Sequence, residues 1–159
     1  CLLSRGLGDV YKRQSYLFEQ NYGSIKDAIF LFLLPSYLER EGSSLVEMAT
    51  HFVHSSESNC SGFFLNEYQK LTETLSKAIK TGQQVFLFGV SFGLLDFIDS
   101  HPEIVNAPNL IILETGGMKG RRKEMTRKEL HTLLGNYFNA ENIHSEYGMT
   151  ELLLSLIHI

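Results

Sequence analysis

Three runs that are apolar almost throughout, residues 28–34, 84–90 and 109–114, alternate with segments of helical periodicity, and no other feature of the chain restricts its fold as much. A strand with one wet face alternates apolar and polar residues, whereas a strand apolar at successive positions must be covered on both faces. Such strands separated by helices imply βαβ units, so the expected class is α/β, with a mostly parallel sheet and helices on both faces. Pro35 closes the first run, and a further short strand is expected over 142–146. Between the strands, Ser44-Leu45-Val46-Glu47 has the spacing of a capping box, and Leu45, Met48, Ala49, Phe52 and Val53 recur on one helical face. The Ser/Asn-rich stretch 55–61 reads as a loop. After the apolar Phe63-Phe64-Leu65, Asn66-Glu67-Tyr68-Gln69 reads as a second cap, and Tyr68, Leu71, Leu75, Ala78 and Ile79 form a stripe that stops at Gly82. A helix is expected over 92–98. Another opens at Thr126-Arg127-Lys128-Glu129, with Leu130, Leu133, Leu134 and Tyr137 on one face and Gly135 weakening it. Gly-containing turns follow the strands at 89–93, 115–120 and 147–151, at the carboxyl edge where parallel sheets bind ligands.

The composition, 43% hydrophobic and 20% charged, excludes a disordered chain, and 28–34 is far short of the ~20 residues of a bilayer-spanning helix. Cys1 and Cys60 are too few for a disulfide framework and lack the paired spacing of a zinc site, which points to a reducing, cytoplasmic setting. Both ends carry a second message. Asp9-Val10-Tyr11-Lys12-Arg13-Gln14 back-translates as GAT GTG TAT AAG AGA CAG, which resembles the transposon mosaic end used in sequencing libraries. Leu154-Ser155-Leu156-Ile157-His158-Ile159 reads as its reverse complement, so residues 1–14 and 154–159 are expected to be adapter-derived and 15–153 to be an internal piece of a longer protein. Removing Arg5, Lys12, Arg13 and Asp9 takes the net charge from −4 to −6, with 11 basic and 17 acidic residues remaining. An acidic chain argues against bulk attraction to nucleic acid or an anionic membrane. Such a piece is also expected to leave sheet edges and apolar surface uncovered and to be poorly soluble alone.

Three segments could carry chemistry. Gly89-Val90-Ser91-Phe92-Gly93 is a G-x-S-x-G between strand and helix, and Glu114 and His144 follow in the chain order of an α/β-hydrolase. Ser91 would then attack an ester carbonyl, His144 would take its proton and Glu114 would hold the imidazole. The structural alternative is a tight turn with Ser91 capping the helix. In the second segment Lys119, Arg121, Arg122, Lys123, Arg127 and Lys128 put six of those 11 basic residues in ten positions beside Gly116, Gly117 and Gly120. It reads either as a phosphate cradle or as a solvated basic loop. The third, Tyr147-Gly148-Met149-Thr150-Glu151, resembles the Tyr-Gly-x-Thr-Glu motif of adenylate-forming enzymes.

Taken with Glu114-Thr115-Gly116-Gly117-Met118-Lys119-Gly120-Arg121-Arg122-Lys123, this motif resembles the acyl-protein synthetase (long-chain-fatty-acid–luciferin-component ligase) family of the adenylate-forming superfamily. The similarity extends from about Leu34 to Leu153 and includes Ser43-Ser44-Leu45-Val46 and 89–96. It implies part of a large N-terminal AMP-binding domain. It also implies an ATP- and Mg²⁺-dependent ligase that activates a fatty acid as its acyl-adenylate and transfers the acyl group to a protein cysteine. On the same resemblance, Tyr147 lies against adenine, Gly116, Gly117 and Gly148 let the nucleotide approach, Thr150 bonds a phosphate oxygen and Glu151 holds Mg²⁺; Ser91 is only part of a turn. Lys119, Arg121 and Arg122 are weaker phosphate candidates. Two parts of the pattern are missing. No Ser/Thr/Gly-rich phosphate loop occurs between Ser15 and Val90, and the acyl-accepting cysteine would lie beyond Leu153, since Cys60 has no basic neighbour to activate it. The piece alone is therefore expected to be inactive.

Overall fold

The structure is a computed structural model and describes residues 2–35, 44–101, 103, 105–147 and 155–157. Five strands, β1 (Ile29–Leu33), β2 (Gly62–Phe64), β3 (Val85–Val90), β4 (Ile111–Thr115) and β5 (Asn142–Tyr147), form a parallel sheet in the order β2-β1-β3-β4-β5. A sixth, β6 (Ser155–Ile157), pairs antiparallel with β5. The connecting helices are α2 (Ser44–Ser55), α3 (Tyr68–Lys80), α4 (Ser91–Ser100) and α5 (Arg127–Phe138), and α1 (Leu2–Tyr22) precedes them all. The expected α/β class and parallel sheet are therefore present.

The helices divide between the two faces as right-handed crossovers require. The step from β1 out to β2 puts α2 on one face, and the steps back toward β5 put α3, α4 and α5 on the other. On the first face Phe30 and Phe86 are register partners and stack at 5.4 Å, and Phe18 of α1 packs on them with Phe52 of α2. On the second, Tyr68, Phe97 and Phe138 join α3, α4 and α5 through ring contacts. All residues of β1 and β3 are buried, the physical counterpart of their unbroken apolar runs.

Several local expectations are refined. The Thr126–Glu129 capping box forms in both directions, at 3.2 and 2.7 Å. At α3, by contrast, the cap position is Glu67 rather than Asn66, with no side-chain cap bond, and the residues before Ser44 lie outside those described. Phe63 and Phe64 belong to the short edge strand β2, and Ser56 and Ser61 of the loop before it satisfy Ala28 O and Phe30 N of β1. Gly135 has a packing role in α5, since a Cβ there would lie 3.3 Å from Ala140 O.

The helix α1 was not anticipated, and it runs through the stretch expected to be adapter-derived into the segment that follows. Its described buried face consists of Gln14 and Phe18. Gln14 is 5% exposed, yet among the described residues neither its amide nitrogen nor its amide oxygen has a hydrogen-bond partner. Burying such a group costs about 1–3 kcal/mol. Gln14→Leu is therefore expected to stabilise the chain by about 1 kcal/mol or more, as read from the midpoint of urea unfolding; an unchanged or lowered midpoint would show that position 14 is not buried. Among the described residues no helix is long and apolar enough to cross a membrane.

Candidate functional site

Strand register aligns Leu33, Gly89, Glu114 and Ser145 in one row across β1, β3, β4 and β5 at the carboxyl end of the sheet. Side chains of one row share a face, so the carboxylate of Glu114 and the hydroxyl of Ser145 are neighbours beneath α4 and α5. Ser145 Oγ donates a short hydrogen bond to Glu114 Oε1. His131 of α5 brings Nε2 to 3.1 Å from the same oxygen and 3.4 Å from Ser145 Oγ. Ser91, 1% exposed, donates from Oγ toward Glu114 Oε2 at 2.9 Å and the carbonyl oxygen of Thr115 at 3.1 Å. A buried carboxylate is thus supplied with hydrogen bonds from three other elements, as a charge at such depth requires.

This arrangement does not assemble the hydrolase constellation. The sheet alternates sides with a period of two, so His144, next to Ser145, faces α1, where its Nδ1 hydrogen-bonds Tyr22 Oη at 2.6 Å. Burial pushes the Tyr22 phenol up to about 12, so it keeps its proton at neutral pH. Ser91 and Glu114 lie on the opposite face, Glu114 touches Ser91 directly, and no imidazole stands between them. The glycines of the G-x-S-x-G serve packing. A Cβ on Gly89 would meet Leu94 Cγ at 2.8 Å and Leu33 O at 3.3 Å, and one on Gly93 would meet Pro35 at 3.2 Å. The turn is the tight one expected, but Ser91 does not cap α4: Val90 is the cap residue, and the Ser91 hydroxyl turns back to Glu114 and Thr115. Ser91 is accordingly expected to resist a fluorophosphonate probe in the folded protein, and stoichiometric labelling detected by mass spectrometry would overturn that assignment.

From Thr115 the chain enters a turn with an unusual density of left-handed residues. Gly116, Gly117 and Gly120 have φ of 76°, 60° and 72°, and Lys119 adopts 51° despite its side chain. Glycine adopts this region at little cost, so the run 116–117 is a position where bare backbone can be presented. Nothing lies within 4 Å of where a Gly117 Cβ would be, and both glycines are exposed, while Met118 between the turn's glycines anchors it in the core at 2% exposure. The basic residues that follow divide. Arg122 hydrogen-bonds Asp96 Oδ1 at 2.7 Å and Asp99 Oδ2 at 2.8 Å, and these bonds hold its guanidinium above its ordinary range. It clamps the loop onto α4, so its expected phosphate role is not supported by its position. The guanidinium of Arg121 lies over the Phe92 ring at 4.8 Å. Lys119, Lys123, Arg127 and Lys128 are exposed. At the amino terminus of α5 the capping box engages the Thr126 and Glu129 amides.

Tyr147 is the last residue of β5, whereas Gly148, Met149, Thr150 and Glu151 lie outside the described residues. Among the described residues no group of three or more His, Cys, Asp or Glu could hold a metal ion. Cys60 is a free thiol, half-buried against the core. The residues that the sequence reading missed are His131 and Ser145. Ser145 was within reach of a register argument, because the residue paired with Glu114 must share its face; His131 depends on where α5 lands. No family model, curated protein or solved structure compared with the chain matches it.

Proposed function

We propose that the chain forms part of a cytoplasmic ATP- and Mg²⁺-dependent ligase that activates a fatty or other carboxylic acid as an acyl-adenylate and passes the acyl group to a protein cysteine thiol. One observation carries the reading. Tyr147, the first residue of the Tyr-Gly-x-Thr-Glu motif, ends β5, and the parallel neighbour of β5 is β4, which runs directly into Gly116-Gly117. Two sequence motifs distant in the chain therefore leave the same edge of the sheet from adjacent strands, whose spacing is about 5 Å.

The residues present fit a nucleotide at that edge. Gly116 and Gly117 offer exposed backbone with open space beside Gly117, and Lys119 and Arg121 stand next to it as cations. By the resemblance, Tyr147 would cover the adenine, Gly148 would admit it, Thr150 would bond a phosphate oxygen and Glu151 would hold Mg²⁺. A divalent ion there would offset the charge of bringing a carboxylate against a phosphate. Binding and orientation are what the chain's own residues supply: a rigid β4–β5 edge, a glycine turn that admits the ligand, and flanking positive charge.

The test is fatty-acid-dependent exchange of labelled pyrophosphate into ATP by the full-length protein. Exchange that requires the acid is the expected result. Thermal protection by ATP without exchange would leave a nucleotide-binding module, and neither protection nor exchange would overturn the reading.

A further inference from the structure

The group of Ser91, Glu114, His131 and Ser145 has no role in the proposed chemistry, yet it is a costly feature of the core. Glu114 is 7% exposed, Ser91 1% and Ser145 3%, and Ser91 reaches the carbonyl of Thr115, from which the turn departs. A buried carboxylate is retained against its desolvation only where its hydrogen bonds are worth having in place. The hydroxyl of Ser91 links two things at once: it faces the carboxylate of Glu114 and the backbone carbonyl of Thr115, the residue from which Gly116 and Gly117 depart. Glu114 is in turn tied to β5 through Ser145 and to α5 through His131.

We propose that Glu114 and Ser91 are positioning residues: the carboxylate, fixed from β5 and α5, and the Thr115 carbonyl share the one Ser91 hydroxyl proton, so that the end of β4 is pinned to α4 and the Gly116-Gly117 backbone keeps its left-handed course. Neither residue touches the ligand. Consecutive left-handed glycines are conformationally permissive, so on their own they would sample many shapes and lose entropy on binding. Anchoring the residue before them reduces that loss. The assignment of ATP as the ligand of this turn rests on the proposed function; the anchoring of the turn does not.

The experiment uses the full-length protein and two variants, Ser91→Ala and Glu114→Gln. The first removes the bond to Thr115 O. The second keeps the shape of the side chain but turns one of its two acceptor atoms into a donor, so Ser91 and Ser145 cannot both be received. His131→Gln serves as the comparison, because His131 meets the carboxylate without reaching the turn. Three quantities are measured: the Kd for ATP by calorimetry, the KM values for ATP and for the acid in pyrophosphate exchange, and hydrogen exchange of the amides of 116–121. For Ser91→Ala the Kd and KM for ATP are expected to rise about tenfold, the scale of a lost hydrogen bond in a charged network. The KM for the acid should stay within about twofold, and amide protection should fall in 116–121 but not in α5. Glu114→Gln, whose amide can donate to Ser91 Oγ while the hydroxyl donates to Thr115 O, should act more weakly, and His131→Gln more weakly still. Unchanged ATP affinity and unchanged protection of 116–121 in both variants would overturn the inference while leaving the proposed function intact. Equal losses for ATP and acid together with loss of protection throughout α4 and α5 would also overturn it, since they would mark a structural role only. A wild-type protein that binds no ATP would instead overturn the functional reading, and with it the ligand assigned to the turn; a local loss of protection in Ser91→Ala would still establish the anchor. If Ser91→Ala fails to fold, Ser91→Cys, a weaker donor of similar size, carries the same comparison.

Discussion

Glu151→Ala in the full-length protein is expected to lower acid-dependent pyrophosphate exchange about a hundredfold or more, the scale on which single groups that stabilise developing charge affect rates. The argument is electrostatic. Joining a carboxylate to a phosphate brings two anions together, and without a cation that encounter is strongly unfavourable. The sequence reading gives the metal one protein carboxylate at this edge, and Arg122, held by Asp96 and Asp99, is not placed to substitute for a divalent ion. Glu151→Gln should show a loss of similar size, because an amide keeps the shape but not the charge. Rates of either variant within about threefold of wild type would remove Glu151 from the site. Melting curves recorded alongside separate a lost ligand group, which leaves them unchanged, from a loss of the fold.

Phe18→Ala is expected to destabilise the chain by about 3–5 kcal/mol, and to lower its melting temperature by about 10 °C or more. Phe18 is 2% exposed, and its ring lies 4.9 to 5.3 Å from those of Tyr22, Phe30, Phe52 and Phe86. It is the residue through which α1 reaches β1, β3 and α2 together. Truncation would leave a cavity among rigid aromatic neighbours that cannot collapse into it, which puts the cost at the upper end of the range for large-to-small changes. A loss below about 1 kcal/mol would mean that α1 is not docked on the sheet. Gln14→Leu probes the same interface with the opposite sign, and the two should be measured in the same background.

Much of the architecture was legible in the chain because it rests on local periodicity. The apolar runs of β1, β3 and β4, the stripe of α3 and the Thr126–Glu129 box each follow from spacing alone, and each lies where spacing put it. Features that failed to show have equally physical causes. Strand β2 is only three residues long, too short for a period to register, and most of α1 falls within residues 1–14, which the sequence reading sets aside as adapter-derived. Among site residues, Gly116 and Gly117 were legible as a turn, and their left-handed φ values agree. Ser91, Glu114 and His144 were in the right chain order for a hydrolase, but chain order carries no information about which side of a sheet a residue faces.

Spacing and residue type therefore dictated a parallel α/β sheet, the buried strands and the glycine turns at its carboxyl edge, because hydrophobic burial acts on each segment through its own period. Which groups meet was decided by assembly. Register set Ser145 beside Glu114 and sent His144 to Tyr22 on the other face, and the landing of α4 and α5 brought Ser91 and His131 onto one carboxylate. Those contacts join residues 17 to 122 positions apart. No local pattern encodes them; they exist only once strand pairing has closed the intervening loops and fixed the faces that the side chains share.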